Sequence, residues 1–210
     1  DNGNVLLQMD INNGLNNNTV ISLFEDLSGN LWVGHANGLS LLQLGLPFEK
    51  IDKFSGIDGT GYHAKTFANN TYLGTNHGIF YYDDKTNGLN MAESIIGSNG
   101  QVYQIQTIKN HLLAAHNDGA FQIKEGRAYK REGPSGIWNF QTIPGNADLI
   151  LSGGYNGLYL YDAKGDEVKF LRKLEGFQES SRVVEYDQKG NIWMAHGYKG
   201  IYKLNISEDK

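Results

Sequence analysis

The side chains best equipped for chemistry in this chain are Tyr62, Trp138, Asn139, Tyr155, Arg182 and Tyr198, all set in or beside short glycine-bearing loops. Rings offer apolar faces for stacking, while amide and guanidinium groups beside them offer paired donors and acceptors. That combination suits a sugar, which presents C–H faces edged with hydroxyls. The plainer reading of the same residues is that they turn the chain and satisfy its backbone, which polar loop residues do without any ligand.

Other chemistries are less well supplied. Glu25 with Asp26, and Glu185 with Asp187, are close enough in sequence to suggest paired carboxylates for proton transfer. Both aspartates, however, open turns of the form Asp-x-x-Gly-Asn, in which a carboxylate accepts amide hydrogens, and turn capping accounts for them better. These turns also lack the alternating oxygen ligands of a calcium loop. His35, His116 and His196 occupy equivalent places in three loops, and a ring of imidazole ligands is conceivable. Equivalent loops stand far apart, and no carboxylate or cysteine spacing accompanies the histidines. The expected role is a structural hydrogen bond in place of the threonine found at Thr75. The glycine-rich segment from Gly56 to Gly61 opens no helix, so a phosphate cradle is not expected. No nucleophile, histidine and acid can be assembled. The expectation is no catalytic residue, no metal and no cofactor.

A repeat positions these loops. Five times a small residue, a polar loop, a glycine and an apolar run follow one another. The loop glycines are Gly38, Gly78, Gly119, Gly157 and Gly200, spaced by 40, 41, 38 and 43 residues. A period of about 40 residues marks a β-propeller more than any other repeat architecture. The predicted fold class is therefore all-β, a propeller of five blade repeats. The blades are placed near 13–52, 54–95, 97–132, 134–174 and 179–210 of one domain spanning 1–210. Strand a is expected over Val20 to Phe24, Ala64 to Ala68, Val102 to Ile108, Trp138 to Ile143 and from Val183. Strand b is expected to end in Gly34, Gly74, Ala115, Gly153 or Ala195, because neighbouring blades crowd together near the axis. Phe80, Phe121, Tyr159 and Tyr202, two residues after the loop glycine, should fill the wider space between blades. Outer strands are expected over Phe48 to Asp52, Arg127 to Glu132 and Val168 to Leu174. Residues 5–9 read as one more outer strand. It either closes a five-bladed ring or ends a preceding blade, leaving an arc of a larger propeller.

Composition agrees with this class. Of 210 residues, 27 are glycine and 3 proline, with 12 tyrosines among the aromatics, a mixture suited to strands and tight turns. The net charge of −5 comes without a basic stripe, so no nucleic-acid partner is expected. The absence of cysteine rules out a disulfide framework and fits either cytoplasm or periplasm. No apolar run approaches membrane-span length, so any membrane contact is expected through segments outside this sequence.

Val20-Ile21-Ser22-Leu23-Phe24-Glu25-Asp26, Gly29-Asn30-Leu31-Trp32-Val33-Gly34 and Asn37-Gly38-Leu39 together resemble the two-component regulator propeller repeat. The copy from Val183 to Tyr202 is similar, with Ala195 for the glycine and His196 for the usual threonine. Leu73-Gly74-Thr75-Asn76-His77-Gly78-Ile79 carries only the second half. The resemblance runs from about Asn13 to Leu204, strong at both ends and weak in the middle. It implies a membrane-anchored regulator of the kind common in Bacteroidetes. Such proteins have periplasmic propellers that sense carbohydrates or their breakdown products, and a histidine kinase or helix-turn-helix output. This chain would then be a non-enzymatic piece of the periplasmic sensor, with a small molecule or oligosaccharide as ligand and a homodimer formed through the full-length sensor. Gly59-Thr60-Gly61-Tyr62 and Phe177 to Arg182 look most like the helix-turn-helix-output type. Rings of this family usually hold more than five blades, which favours the arc. A lyase- or lactonase-type propeller and a purely structural propeller are the alternatives, and the rim loops are where a sensor would carry its ligand.

Overall fold

The computed structural model describes residues 3–5, 7–12, 14–44, 51, 53–83 and 91–206. The chain divides into two compact units, Asp1–Ile57 and Asp58–Lys210. The first holds one antiparallel sheet of β1 (Val20–Glu25), β2 (Leu31–His35) and β3 (Leu39–Leu42), in that order.

The second unit holds four antiparallel sheets, each a simple up-and-down meander. They are β4 (Gly61–Phe67), β5 (Asn70–Thr75), β6 (Ile79–Asp83) and β7 (Glu93–Ser94); then β8 (Val102–Ile108), β9 (His111–His116), β10 (Gly119–Lys124) and β11 (Arg127–Lys130). Next come β12 (Ile137–Ile143), β13 (Asn146–Gly154), β14 (Gly157–Asp162) and β15 (Lys169–Lys173), and finally β16 (Val183–Tyr186), β17 (Ile192–His196) and β18 (Gly200–Leu204). The first strands of consecutive sheets, β4, β8, β12 and β16, touch one after another. This is the β-propeller plan, with strand a innermost.

Three apolar cores fill the spaces between consecutive sheets. Val102, Ile105 and Phe121 pack with Ile79 and Ile95; Ile137, Phe140, Tyr159 and Tyr161 pack with Ile108 and Leu113; Val184, Ile192 and Met194 pack with Leu151 and Leu158. Each fully buried side chain of this size contributes about 1.5–3 kcal/mol. A strand sandwiched between two such cores is covered on both faces, so it does not alternate. Every residue of β9 is buried, although its sequence is His-Leu-Leu-Ala-Ala-His. The small residues ending strand b have the expected cause. A Cβ on Gly74 would stand 2.7 Å from Val102 Cγ1 of the next sheet, and one on Gly153 would collide with the Ser181 carbonyl oxygen. Phe121 and Tyr159 are buried between sheets, and Tyr202 meets Phe177 edge-on at 5.4 Å.

Two strand expectations fare differently. Residues 5–9 form no strand at the described positions: Val5 and Leu7 to Met9 lack regular structure, and Leu6 lies outside the described residues. A strand exists only through pairing, and no described sheet has a partner there. The expected outer strand over Phe48 to Asp52 lies outside the described residues, apart from Ile51, which has no regular structure.

Candidate ligand-binding site

The inner strands share an irregularity that fixes the site. In β4 the pairing steps from Gly61–Thr75 to His63–Gly74, skipping Tyr62. In β8 it skips Tyr103, and in β12 it skips Trp138. Such a bulge leaves one residue unpaired and re-aims its side chain, here at the end of the strand next to the loop joining the second and third strands of the sheet, the b–c loop. In the last sheet Val183 pairs with Ala195 as Asn139 pairs with Gly153, so Arg182 is the counterpart of Trp138. Ile21 is skipped in the same way in β1 of the first unit.

Four consecutive sheets therefore present Tyr62, Tyr103, Trp138 and Arg182 from one structural position. They form a ladder. Tyr62 meets Tyr103 edge-on at 6.5 Å, Tyr103 meets Trp138 at 4.3 Å, and the Arg182 guanidinium lies 5.1 Å from the Trp138 ring centre. Tyr155, from the b–c loop of β13 and β14, packs 4.9 Å from Trp138 and joins its hydroxyl to that of Tyr103 at 2.6 Å. Trp138 Nε1 donates to Ser180 Oγ at 3.0 Å. Burial first, then the hydrogen bond with Tyr155, raises the Tyr103 phenol above its ordinary range. The outer members remain accessible: Tyr62 is 49% exposed and Tyr155 36%.

Below the ladder, towards the strand interiors, lies a cleft of about 160 Å³ lined by His63, Gln104, Gln141 and Glu185 among others. Gln104 Oε1 accepts the Phe140 amide at 2.7 Å, and Asn139 Nδ2 donates to the carbonyls of Ser181 and Arg182 at 3.2 and 2.9 Å. Gln104 and Asn139, each one place after a bulge, thus tie β8 to β12 and β12 to the segment entering β16. Burial, then the charge of Lys65, lowers the His63 pKa.

Of the six residues singled out in the sequence, the structure brings together Tyr62, Trp138, Tyr155 and Arg182. Asn139 lies against them but is only 6% exposed, and it holds the backbone that carries Arg182. Tyr198 makes no ring contact with the ladder; it is 94% exposed and meets the His196 ring edge-on at 6.2 Å. Tyr103 was not singled out. It follows Tyr62 by 41 residues, the separation of Gly78 and Gly119, so aligning the repeats on their loop glycines would have found it.

Much of the rest of the rim is occupied with itself. Asn76 Oδ1 accepts the Thr60 amide at 2.6 Å and Asn117 Oδ1 the Gln101 amide at 2.9 Å, each tying a b–c loop to the entry loop of its own sheet. The histidines act as the threonine does. Thr75 Oγ1 accepts the amide of His77 at 3.0 Å; His116 Nδ1 accepts that of Asp118 and His196 Nδ1 that of Tyr198, both at 3.0 Å. His35 uses Nε2 instead, 2.8 Å from Ser40 Oγ. Among the described residues no three His, Cys, Asp or Glu gather as a metal site.

The aspartate turns are equally self-contained. Asp187 accepts the amides of Lys189 and Asn191 and the Asn191 side chain, and its Oδ2 accepts Trp193 Nε1 at 3.0 Å. Asp26 repeats the set with Ser28, Asn30 and Trp32. Gly29 and Gly190 both close their turns at φ +79°, a conformation that favours glycine. The indole bond, then the Asn191 side chain, holds Asp187 well below the usual carboxylate range; the Asn30 side chain, then Trp32, brings Asp26 down to about 2.

No family model matches the chain, and no curated protein matches its sequence. Solved structures do. The chain is similar to the extracellular domain described for a one-component system, BT4673, of B. thetaiotaomicron, with TM-score 0.64 and 16% identity over 91% of this chain and 30% of that one. It is also similar to the extracellular domain described for a hybrid two-component system, BT3049, of the same organism, with TM-score 0.54 and 17% identity over 97% and 31%. The WD40 propeller domain of Doa1 matches with TM-score 0.52 and 17% identity over 90% and 64%. These likenesses establish the propeller fold. The chain spans about a third of the length of the two regulator domains. Among the described residues no helix is long and apolar enough to cross a membrane.

Proposed function

We propose that this chain is a piece of the extracytoplasmic sensor propeller of a membrane-anchored one- or two-component-type regulator, and that it binds a carbohydrate without transforming it. The observation that carries the ligand reading is the ladder of Tyr62, Tyr103, Trp138 and Arg182, built at one structural position in four consecutive sheets, a bulge in the first three, and flanked by Tyr155. Stacked faces edged with phenol and guanidinium donors match the alternating faces and hydroxyls of a sugar ring. Two things support the regulator reading: the repeat signature of the sequence, and the fold shared with extracellular domains of proteins described as one- and two-component systems.

A propeller enzyme has less support. The conspicuous acids, Asp26 and Asp187, use their oxygens on their own turns. Asn139 acts in this reading as a positioning residue for Arg182, and Tyr198 stays outside the cluster.

The test is a fluorescence titration with a panel of oligosaccharides. A saturable change in tryptophan emission that disappears in Trp138→Phe is expected for at least one of them. A saturable change that persists in that variant contradicts the placement, and no response across the panel contradicts the carbohydrate reading.

A further inference from the structure

Arg182 is the one charged member of the ladder. Its guanidinium is held over Trp138 at 5.1 Å, and its backbone is fixed by the Asn139 amide at 2.9 Å. Its position is therefore set before any ligand arrives. Its charge, however, is not neutralised, because no carboxylate among the described residues forms an ion pair with it. The nearby acids are engaged elsewhere. Glu179 pairs with Lys199 at 2.8 Å and His196 at 3.7 Å, and Glu185 accepts the Gln141 amide at 3.1 Å. The loop passing the guanidinium places a glycine there. A Cβ on Gly197 would lie 4.0 Å from Arg182 Nη1, so no side chain from that position covers it.

A neutral sugar would use the rings and the guanidinium's donors but leave its positive charge unmatched. A sugar bearing a carboxylate would engage the charge too, because the guanidinium fork matches a carboxylate with two parallel hydrogen bonds. Beside the fork, the Tyr103 and Tyr155 hydroxyls share one hydrogen bond, which leaves one phenol proton free to donate outward. Tyr62 and Tyr155 supply the accessible rings.

We propose that the ladder selects an acidic saccharide, with a uronic-acid carboxylate on Arg182 and an adjoining sugar face on the exposed tyrosines. This rests on the carbohydrate reading above and narrows it to one chemical class.

The experiment compares tetrasaccharides of galacturonic, glucuronic, mannuronic and guluronic acid with their carboxyl-reduced, neutral counterparts, by calorimetry on this chain. At least one acid should bind about tenfold or more tighter than its reduced partner, equivalent to about 1.4 kcal/mol. Arg182→Gln should abolish that preference, costing the acid clearly more affinity than its neutral partner, and Arg182→Lys should retain only part of it, since an ammonium lacks the planar fork. Raising the salt from about 20 to 200 mM should weaken the acid and not the neutral sugar. No acid exceeding its reduced partner, or a preference that survives Arg182→Gln, overturns the proposal. If neutral sugars bind in a Trp138-dependent manner without any acid preference, the acidic class fails and the carbohydrate reading stands. If neither kind binds, both fail.

Discussion

The hydroxyls of Tyr103 and Tyr155 lie 2.6 Å apart although 52 residues separate them in the chain. One ring comes from the bulge of an inner strand, the other from a b–c loop of the next sheet, and Trp138 packs against both. The contact joins the two kinds of rim element across a sheet boundary, and the variants below separate what the rim does from what the repeat does.

Tyr103→Phe keeps the ring and removes the hydroxyl pair. A neutral hydrogen bond of this kind contributes about 0.5–1.5 kcal/mol. The expected result is a loss of thermal stability of that order and weaker sugar binding, read by calorimetry. Alkaline titration tests the same pair. Because the folded-state pKa is raised, the contribution of Tyr103 is fully present below the unfolded value of about 10 and is lost as pH rises above it.

The aspartate turns should fail at acid pH. The folded pKa of Asp187 is depressed, so the stability it contributes is present above the unfolded value of about 3.9 and lost as pH falls through lower values. Asp187→Asn should lower the melting temperature at pH 7 and flatten its dependence on pH below 4. An unchanged acid profile would show that the turn carries no linkage.

The sequence revealed most of this scaffold and less of the site. The Asp-x-x-Gly-Asn turns and the small residues ending strand b are dictated locally or by one close approach, and each copy repeats them, so Asp187 and Gly153 were legible. The ladder depends on a bulge. A one-residue slip in pairing leaves no local mark in Val102-Tyr103-Gln104, so Tyr103 was legible only through its 41-residue separation from Tyr62 and not from its own strand. Tyr198 is the converse case. An aromatic in a loop one residue longer than its counterpart looked like a binding group, but the turn around His196 Nδ1 leaves it without a ladder contact. Asn139 read as a rim residue because its neighbour Trp138 is one, whereas resumed pairing after the bulge buries it.

His116 offers a pH test. Its ring is 1% exposed and burial lowers its pKa, so the neutral form is favoured in the fold. The stability it contributes is present above the unfolded value of about 6.5 and is lost as pH falls below it. His116→Thr should preserve the loop at pH 7, by analogy with Thr75, and reduce the loss of stability between pH 7 and 5. Melting curves at both pH values check this. A variant as acid-sensitive as the native chain would assign the sensitivity elsewhere, with His63 the next candidate because burial and Lys65 lower its pKa.

The most direct test of the central claim is calorimetric titration of an oligosaccharide panel against the native chain, Trp138→Ala and Asp187→Ala. Trp138 lies in the ladder; Asp187 lies in a turn of the repeat that bonds to itself. Trp138→Ala is expected to cost about 1–3 kcal/mol of binding, by analogy with truncating a buried anchor. Asp187→Ala should leave affinity unchanged at a temperature where it is folded. Equal weakening by both, with folding intact, would contradict a site built on the ladder.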